Sequence, residues 1–330
     1  MAFSLITAKN RHANLVINDH SIRFVELLRS NPLTIHKWRE HDLPPGIISG
    51  GKIADYETLS NILEECIEDW KIHKRDLRFL VPDSLVIIRK ISVPKEIQDD
   101  EMHGYLYLEM GSSIHLPFED PVFDYYPLKT SKETKEVLLF AAPAKYVLEY
   151  ANLFTTLKLN PVAADISPLS LYRLYDYLGY TSEKEILFTV QFDMTSVTIA
   201  VFEGTVPYVM RHFPLPFEID KWEVRRGETA NEYVYNGNES EMLLQIEDIQ
   251  KEMNKLMDFY KYSLNNGKKE ITLILLSGDH PMLPFIFREL KENSAVPAEM
   301  LTLEGNARIK TASILPGHFL AVGLALKEVK

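Results

Sequence analysis

Two segments constrain the fold of this chain more than any others: "VINDHSIRFVEL" (residues 16–27) and "VQFDMTSVTIAV" (residues 190–201). Each places apolar residues on both sides of a polar turn, the pattern of a β-hairpin. Val16 and Gln191 hold equivalent places about 175 residues apart, so each hairpin opens one half of a 330-residue chain. That length suits two domains or one bilobed unit. Two related halves, each starting with a hairpin, are the simplest reading.

Between and beyond the hairpins the periodicity is clear. In "DYETLSNILEECIEDWKIHK" the residues Leu59, Ile62, Leu63, Cys66, Ile67 and Trp70 follow the three-four spacing of a buried helix face, with Asp55 as its cap. The preceding "HDLPPGIISGGK" is expected as a loop, with His36 and His41 in a polar loop region. "LRFLVP" is a strand. From about Leu85 the pattern runs strand, helix ("EIQDDEMHGYLYLEM"), two strands and helix ("AKYVLEYANLFTTLKL"), enough for an inserted subdomain. "ISPLSLYRLYDYLG" is a helix with Asp165 near its start as a candidate cap. Residues 185–214 form a three-stranded meander, and "KWEVRRGETANEYVYNGNESE" is a loop or a small exposed element. A long helix over 241–264 buries Ile246, Ile249, Met253, Leu256, Met257 and Tyr260. "KEITLILLSGD" is a strand entering a turn, and a short helix begins after Gly317.

Composition excludes several function classes. A net charge of −11 without a basic face opposes nucleic-acid phosphates. The single cysteine, Cys66, forms no intrachain disulfide and no cysteine metal cluster. Ten histidines are present, but none lies in a metalloprotease-type pattern, and neither a P-loop nor a G-x-S-x-G elbow occurs. The apolar runs "ITLILL" and "FLAVGLAL" fall short of the ~18 residues of a spanning helix. "MAFSLITAKNRH" is too short for a signal sequence. The expectation is a soluble cytoplasmic protein. Arg225–Arg226 are a candidate contact surface for an acidic partner or part of a solvated loop, and Asp165 is the one candidate base for sugar-kinase chemistry.

Six segments, in order, carry a family resemblance: "SIRFVEL", "IIRKISVP", "SSIHLPFEDPVFDYYPL", "EMNKLMDFYKYSL", "LILLSGD" and "AVGLALK". Together they resemble the PilM family, cytoplasmic actin-like proteins of type IV pilus assembly related to the FtsA division proteins. The resemblance implies an α/β, actin-like, two-lobed ATPase fold of the FtsA type, with an inserted α+β subdomain in the first lobe. It divides the chain into residues 1–84 (first lobe), 85–159 (inserted subdomain), 160–184 (first lobe, continued), 185–315 (second lobe) and 316–330 (a helix returning to the first lobe). It implies a scaffold that binds the N-terminal cytoplasmic segment of a PilN-like single-span membrane protein, and a family habit of self-association. The protein would then lie at the inner face of the cytoplasmic membrane through partners, without direct insertion, because the sequence ends at Lys330 with no amphipathic anchor.

The resemblance also implies ATP and Mg²⁺ in a cleft between the lobes, yet the phosphate-facing positions depart from the family pattern. Where the family has Asp-Ile-Gly, the first hairpin has Val16, Ile17 and Asn18, with Asp19, His20 and Ser21 in the hydroxyl-rich part. The second hairpin has Gln191, Phe192 and Asp193, and only Thr195 and Ser196 keep suitable hydroxyls. A carboxylate about 4 Å from a phosphate charge costs about 4 kcal/mol at an effective dielectric near 20, roughly a thousandfold in affinity. The adenosine end is better kept, in Glu252, Lys255 and Gly278, although Asp279 replaces a glycine. Asp19 and Asp193 are either displaced metal ligands or ordinary turn residues. The expectation is a scaffold with lost or weakened ATP binding and no catalytic residues. The alternative is an active actin-like ATPase of pilus assembly or cell division.

Overall fold

Both hairpins form, in matching register. β1 (Ala13–Ile17) pairs antiparallel with β2 (Ser21–Arg29), Val16 opposite Arg23 and Ile17 opposite Ile22. In the second half Gln191 lies opposite Thr198 and Phe192 opposite Val197, so the same 175-residue offset carries one hairpin onto the other. The structure is a computed structural model and describes residues 11–131, 133–215, 221–226, 231–303, 306, 309 and 314–328.

The first lobe continues with β3 (Thr34–Asp42), the two-residue strands β4 (Ile48–Ser49) and β5 (Lys52–Ile53), α1 (Tyr56–Trp70) and β6 (Asp76–Leu80). The inserted segment supplies β7 (Ile87–Pro94), α2 (Met102–Glu109), β8 (Pro121–Thr130), β9 (Thr134–Pro143) and α3 (Ala144–Thr156). β10 (Asn160–Asp165) and α4 (Ser167–Leu178) return to the first lobe. The second lobe comprises β11 (Ile186–Phe192), β12 (Ser196–Glu203), β13 (Val206–Pro214), β14 (Trp222–Arg226), β15 (Asn231–Tyr235), α5 (Glu239–Asp258), β16 (Leu273–Ser277), α6 (Leu283–Asn293) and β17 (Ala298–Met300). α7 (Phe319–Ala325) closes the described chain.

Each lobe is built on a five-stranded mixed sheet of the same plan. The orders are β3-β2-β1-β6-β10 and β13-β12-β11-β16-β17, an antiparallel meander followed by two parallel strands. Strand alternation sends Leu15 and Phe24 to an outer core under α1 and α3, while Val16 and Val25 face the other lobe. In β11, Phe188, Val190 and Phe192 join the outer core beneath α5 and α6, and Leu187 faces inward. Gln191 shares the parity of Leu187. α4 and α7 fill the space between the sheets, crossing so closely that a Cβ on Gly323 would stand 2.1 Å from the Ser170 carbonyl oxygen. The inserted sheet, β7-β9-β8, packs on α2, whereas Tyr150, Leu153 and Phe154 of α3 join the core of the first lobe.

Three local expectations are corrected. His36 and His41 lie on β3, not in a loop. This strand pairs with only one neighbour at the edge of its sheet, and only Ile35 along it is fully buried, so apolar alternation is weak. Asp165 does not cap α4: it ends β10, accepts from the Ile166 N–H at 3.0 Å and pairs with Arg173 and, at 3.6 Å, Lys327. The helix read over 96–110 contracts to α2, because residues 98–101 close a turn first. By contrast Asp55 caps α1 by accepting from Thr58 N–H at 3.0 Å, and Cys66 is buried, which pushes its thiol up to about 12. "KWEVRRGETANEYVYNGNESE" forms the β14–β15 hairpin and the start of α5; the side chains of Arg225 and Arg226 lie outside the described residues.

Candidate functional site

Between the lobes lies a cavity of about 690 Å³, walled by the turn of each hairpin, the loop through Gly50 and Gly51, and the segment following β6. Six of the residues singled out in the sequence line it: Asn18, Asp19, Gln191, Asp193, Thr195 and Ser196. His20, Ser21, Gly278 and Asp279 stand behind its wall. Glu252 and Lys255 line no part of it; they pair with each other at 2.6 Å on α5, with side chains 39% and 71% exposed.

The lining groups are turned toward the protein. Asn18 Oδ1 accepts from Ser21 N–H at 2.8 Å and from the Ser21 hydroxyl at 2.9 Å, which closes the first turn. Asp19 accepts from Gly50 N–H at 2.8 Å and Gly51 N–H at 3.0 Å. Two backbone donors of a glycine loop are the kind of cradle that takes a phosphate. Here an internal carboxylate fills it. Asp193 accepts from the Gln191 side-chain amide, and no group of three His, Cys, Asp or Glu among the described residues is placed to hold a metal ion.

Behind the turns the lobes are joined by charge. The Asp279 carboxylate, 8% exposed, receives Arg23 Nη1 at 2.6 Å and His20 Nε2 at 3.0 Å from the first lobe. Its other oxygen accepts from Met194 N–H at 3.0 Å in the turn of the second hairpin. Burial opposes ionisation of Asp279, but Arg23 and His20 overcome it and hold the carboxyl far below its usual range. Arg23 is also held by Glu40 at 2.6 Å, and Gly317 leaves space for it: a Cβ there would meet the guanidinium carbon at 2.7 Å.

A second tie mirrors the first. Asp83, just past β6, accepts from Thr198 of β12 at 2.8 Å and from the Ser167 hydroxyl at the start of α4. Thr198 has one hydroxyl proton, so when it donates to Asp83 the 3.0 Å contact to His212 Nδ1 requires an N–H there. Burial lowers the His212 pKa, against the attraction of Asp83, and favours this neutral form. Thr198 is the equivalent of Arg23 by the 175-residue offset. Each second hairpin strand therefore reaches an aspartate beyond the fourth sheet strand of the other lobe. Sequence reasoning missed Arg23, Asp83, Thr198 and His212; the offset between hairpins was the one signal that pointed to Arg23 and Thr198 as a pair.

Burial, and then the Asp279 carboxylate, push Asp193 well above the ordinary carboxylate range, with Gln191 and Arg23 opposing and Asp83 adding to the rise. A carboxyl with a raised native pKa favours folding below its unfolded pKa, and that contribution is lost as pH rises through the native value. Asp193→Asn is therefore expected to remove part of the decline in stability above about pH 4. One such proton gives a slope of at most about 1.4 kcal/mol per pH unit. Urea unfolding across pH should show the variant gaining on the parent as pH rises; parallel curves would refute the assignment.

The comparisons agree with this architecture. A family model described as type IV pilus assembly protein PilM matches residues 15–212. A solved structure of a PilM–PilN type IV pilus biogenesis complex is similar with a TM-score of 0.77 at 19% identity, over 96% of this chain and 98% of that one. The ethanolamine utilization protein EutJ from Carboxydothermus hydrogenoformans gives 0.51 at 10% identity, covering 97% and 90%. A Bacteroides thetaiotaomicron protein with an actin-like ATPase fold and unknown function gives 0.49 at 10%, covering 99% and 100%. No curated protein matches. The fold is the two-lobed actin-like one, and no helix among the described residues is long and apolar enough to cross a membrane.

Proposed function

The chain belongs to the PilM family of type IV pilus assembly proteins, and from that premise we propose that it is a scaffold of the inner-membrane pilus complex with a cleft that has given up ATP. Its partner in this reading is the N-terminal cytoplasmic segment of a PilN-like single-span membrane protein. Likeness to a structure of a PilM–PilN complex supports the partner. The protein would then sit at the inner face of the cytoplasmic membrane by recruitment, and self-association through its lobes belongs to the same reading.

One observation carries the loss of nucleotide: the two phosphate-facing turns are closed on each other by the protein itself. Asp279 joins His20 and Arg23 to Met194, and Asp19 takes the glycine-loop donors. Val16, 4% exposed, and Gln191, 5% exposed, stand where the family's aspartates would organise Mg²⁺. A nucleotide would have to displace Asp19 from the glycine-loop donors and enter among carboxyl groups. The enzyme assignment follows: a degenerate ATPase without turnover, and neither ATP nor Mg²⁺ as a required cofactor. In this reading the partner contacts the molecule beside the inserted subdomain, residues 85–159 in the boundaries given above.

Titration of the protein with a peptide of the PilN-like cytoplasmic segment should give saturable 1:1 binding, and calorimetry with Mg-ATP should give none. Failure of the peptide to bind would remove the pilus partner from this reading. Tight Mg-ATP binding, with turnover abolished by Asp193→Ala, would instead favour the active ATPase.

A further inference from the structure

The cavity between the lobes has an electrostatic character unlike that of a phosphate site. Asp19, Asp83 and Asp193 contribute carboxyl groups to its wall, and among the described residues that line it none is lysine or arginine. Its one basic side chain, His212, is kept neutral by burial, with Nδ1 tied to Thr198. The wall also holds an unanswered acceptor. Gln191 is 5% exposed and its Oε1 has no hydrogen-bond partner, although the other end of the amide donates to Asp193. Asp83 Oδ1 is likewise buried without a partner. A buried acceptor left unpaired is costly, and a ligand that donates hydrogen bonds recovers that cost.

We propose that the interlobe cavity binds an organic cation, an ammonium or guanidinium group on a short hydrocarbon stem, through Gln191, Asp83 and Asp193. Three features select this class. A guanidinium presents only donors, which matches a wall of acceptors. The volume of about 690 Å³ far exceeds a bare metal ion, and Val16, Ile48, Leu80, Pro82 and Leu215 give apolar surface for a stem. A cation among the carboxyl groups also favours their ionised forms, which burial disfavours at both Asp83 and Asp193. Asp193 faces Asp279 and Asp83, with Arg23 as the opposing cation, and burial and then the Asp279 carboxylate raise its pKa well above the ordinary carboxylate range. A bound cation favours the carboxylate, so binding releases a proton from Asp193 to solvent.

This inference rests on the reading that the cleft has lost ATP, and its test separates the two. The group is carried either by a free amine or by a basic side chain of a protein partner. Calorimetry of the full-length chain should therefore be run with agmatine, with a short peptide containing one arginine, and with Mg-ATP. Binding of agmatine with proton release, seen as heats that differ between Tris and phosphate buffers, is the expected result. Gln191→Leu should weaken it at least tenfold, and Asp193→Asn should abolish the proton release. A cooperative urea transition in each variant shows that both are folded. Tighter binding of the peptide assigns the site to a partner side chain, and tighter binding of agmatine to a free amine. Silence from both, or binding that Gln191→Leu leaves unchanged, overturns the proposal. Mg-ATP that displaces agmatine overturns both readings, whereas silence from every probe overturns this one alone.

Discussion

Asp279→Asn is expected to cost the protein about 3 kcal/mol of stability, at the lower end of the 3–5 kcal/mol typical when one partner of a buried ion pair is removed. The substitution keeps shape and removes charge. It leaves Arg23, 4% exposed, without its partner at 2.6 Å, while Glu40 still holds Nε at 2.6 Å. That surviving contact, and relief of Asp193, keep the loss from being larger. The contribution of Asp279 is present above its unfolded pKa and is lost as pH falls through its depressed native value, so acid releases this tie only below about pH 4. The drop in urea midpoint should narrow as pH rises from about 5 to 8, because the substitution also relieves the raised pKa of Asp193. Arg23→Met combined with Asp279→Leu should recover only part of the loss, because Glu40, His20 and the Met194 N–H then lose the partner they have here. Removing the exposed Lys251–Asp248 pair should leave the midpoint unchanged. A parent-like midpoint for Asp279→Asn would mean that the pair does not hold the lobes.

The elements that sequence reasoning recovered are those whose information is local. The hairpins, the α1 stripe from Leu59 to Trp70 and the long stripe of α5 all declare themselves within one window; most of the residues expected to be buried are so, with Ile62 and Met257 only partly covered and Met242 an unexpected addition. β3 does not, because only Ile35 of "TIHKWREHD" is fully buried and the remaining side chains are polar or half-buried, so no period-two apolar pattern forms. The site divides along the same line. That Val16 and Gln191 stand where the family resemblance places aspartates was an expectation read from the motif pattern. The fate of the remaining carboxylates was not legible there. Asp19 finds its donors at Gly50 and Gly51, and Asp279 finds Arg23 across most of the chain. Asp83 and Thr198 meet only when the lobes close. Partners so distant in sequence leave no spacing to detect, and an aspartate in a turn looks the same whether it faces solvent, a metal or an arginine. Only the repeated sheet plan relates them: Arg23 and Thr198 occupy one position of one repeat.

Gly278→Ala should be at least as damaging as the loss of the ion pair, and for a different reason. The residue follows β16 with φ +137, where side chains are strained, and a Cβ would lie 2.0 Å from the Phe192 carbonyl oxygen and 2.8 Å from the Phe192 nitrogen. Both neighbours are backbone at the end of β11, so no rotamer change relieves the clash. Strain and overpacking each cost about 1–3 kcal/mol, and together roughly 3 kcal/mol or more. Gly204→Ala is the matched control: its φ is +58, but open space surrounds it, and a loss of only about 1 kcal/mol is expected. The clash also moves the turn that aims Asp279 at Arg23, so the two defects share a cause. Combined with Asp279→Asn, Gly278→Ala should therefore cost less than the sum of the single losses, by more than the 0.3–0.5 kcal/mol scatter of independent sites. Full additivity in a double-mutant cycle would show that Gly278 is required by packing alone, and that the glycine has no part in holding the lobes.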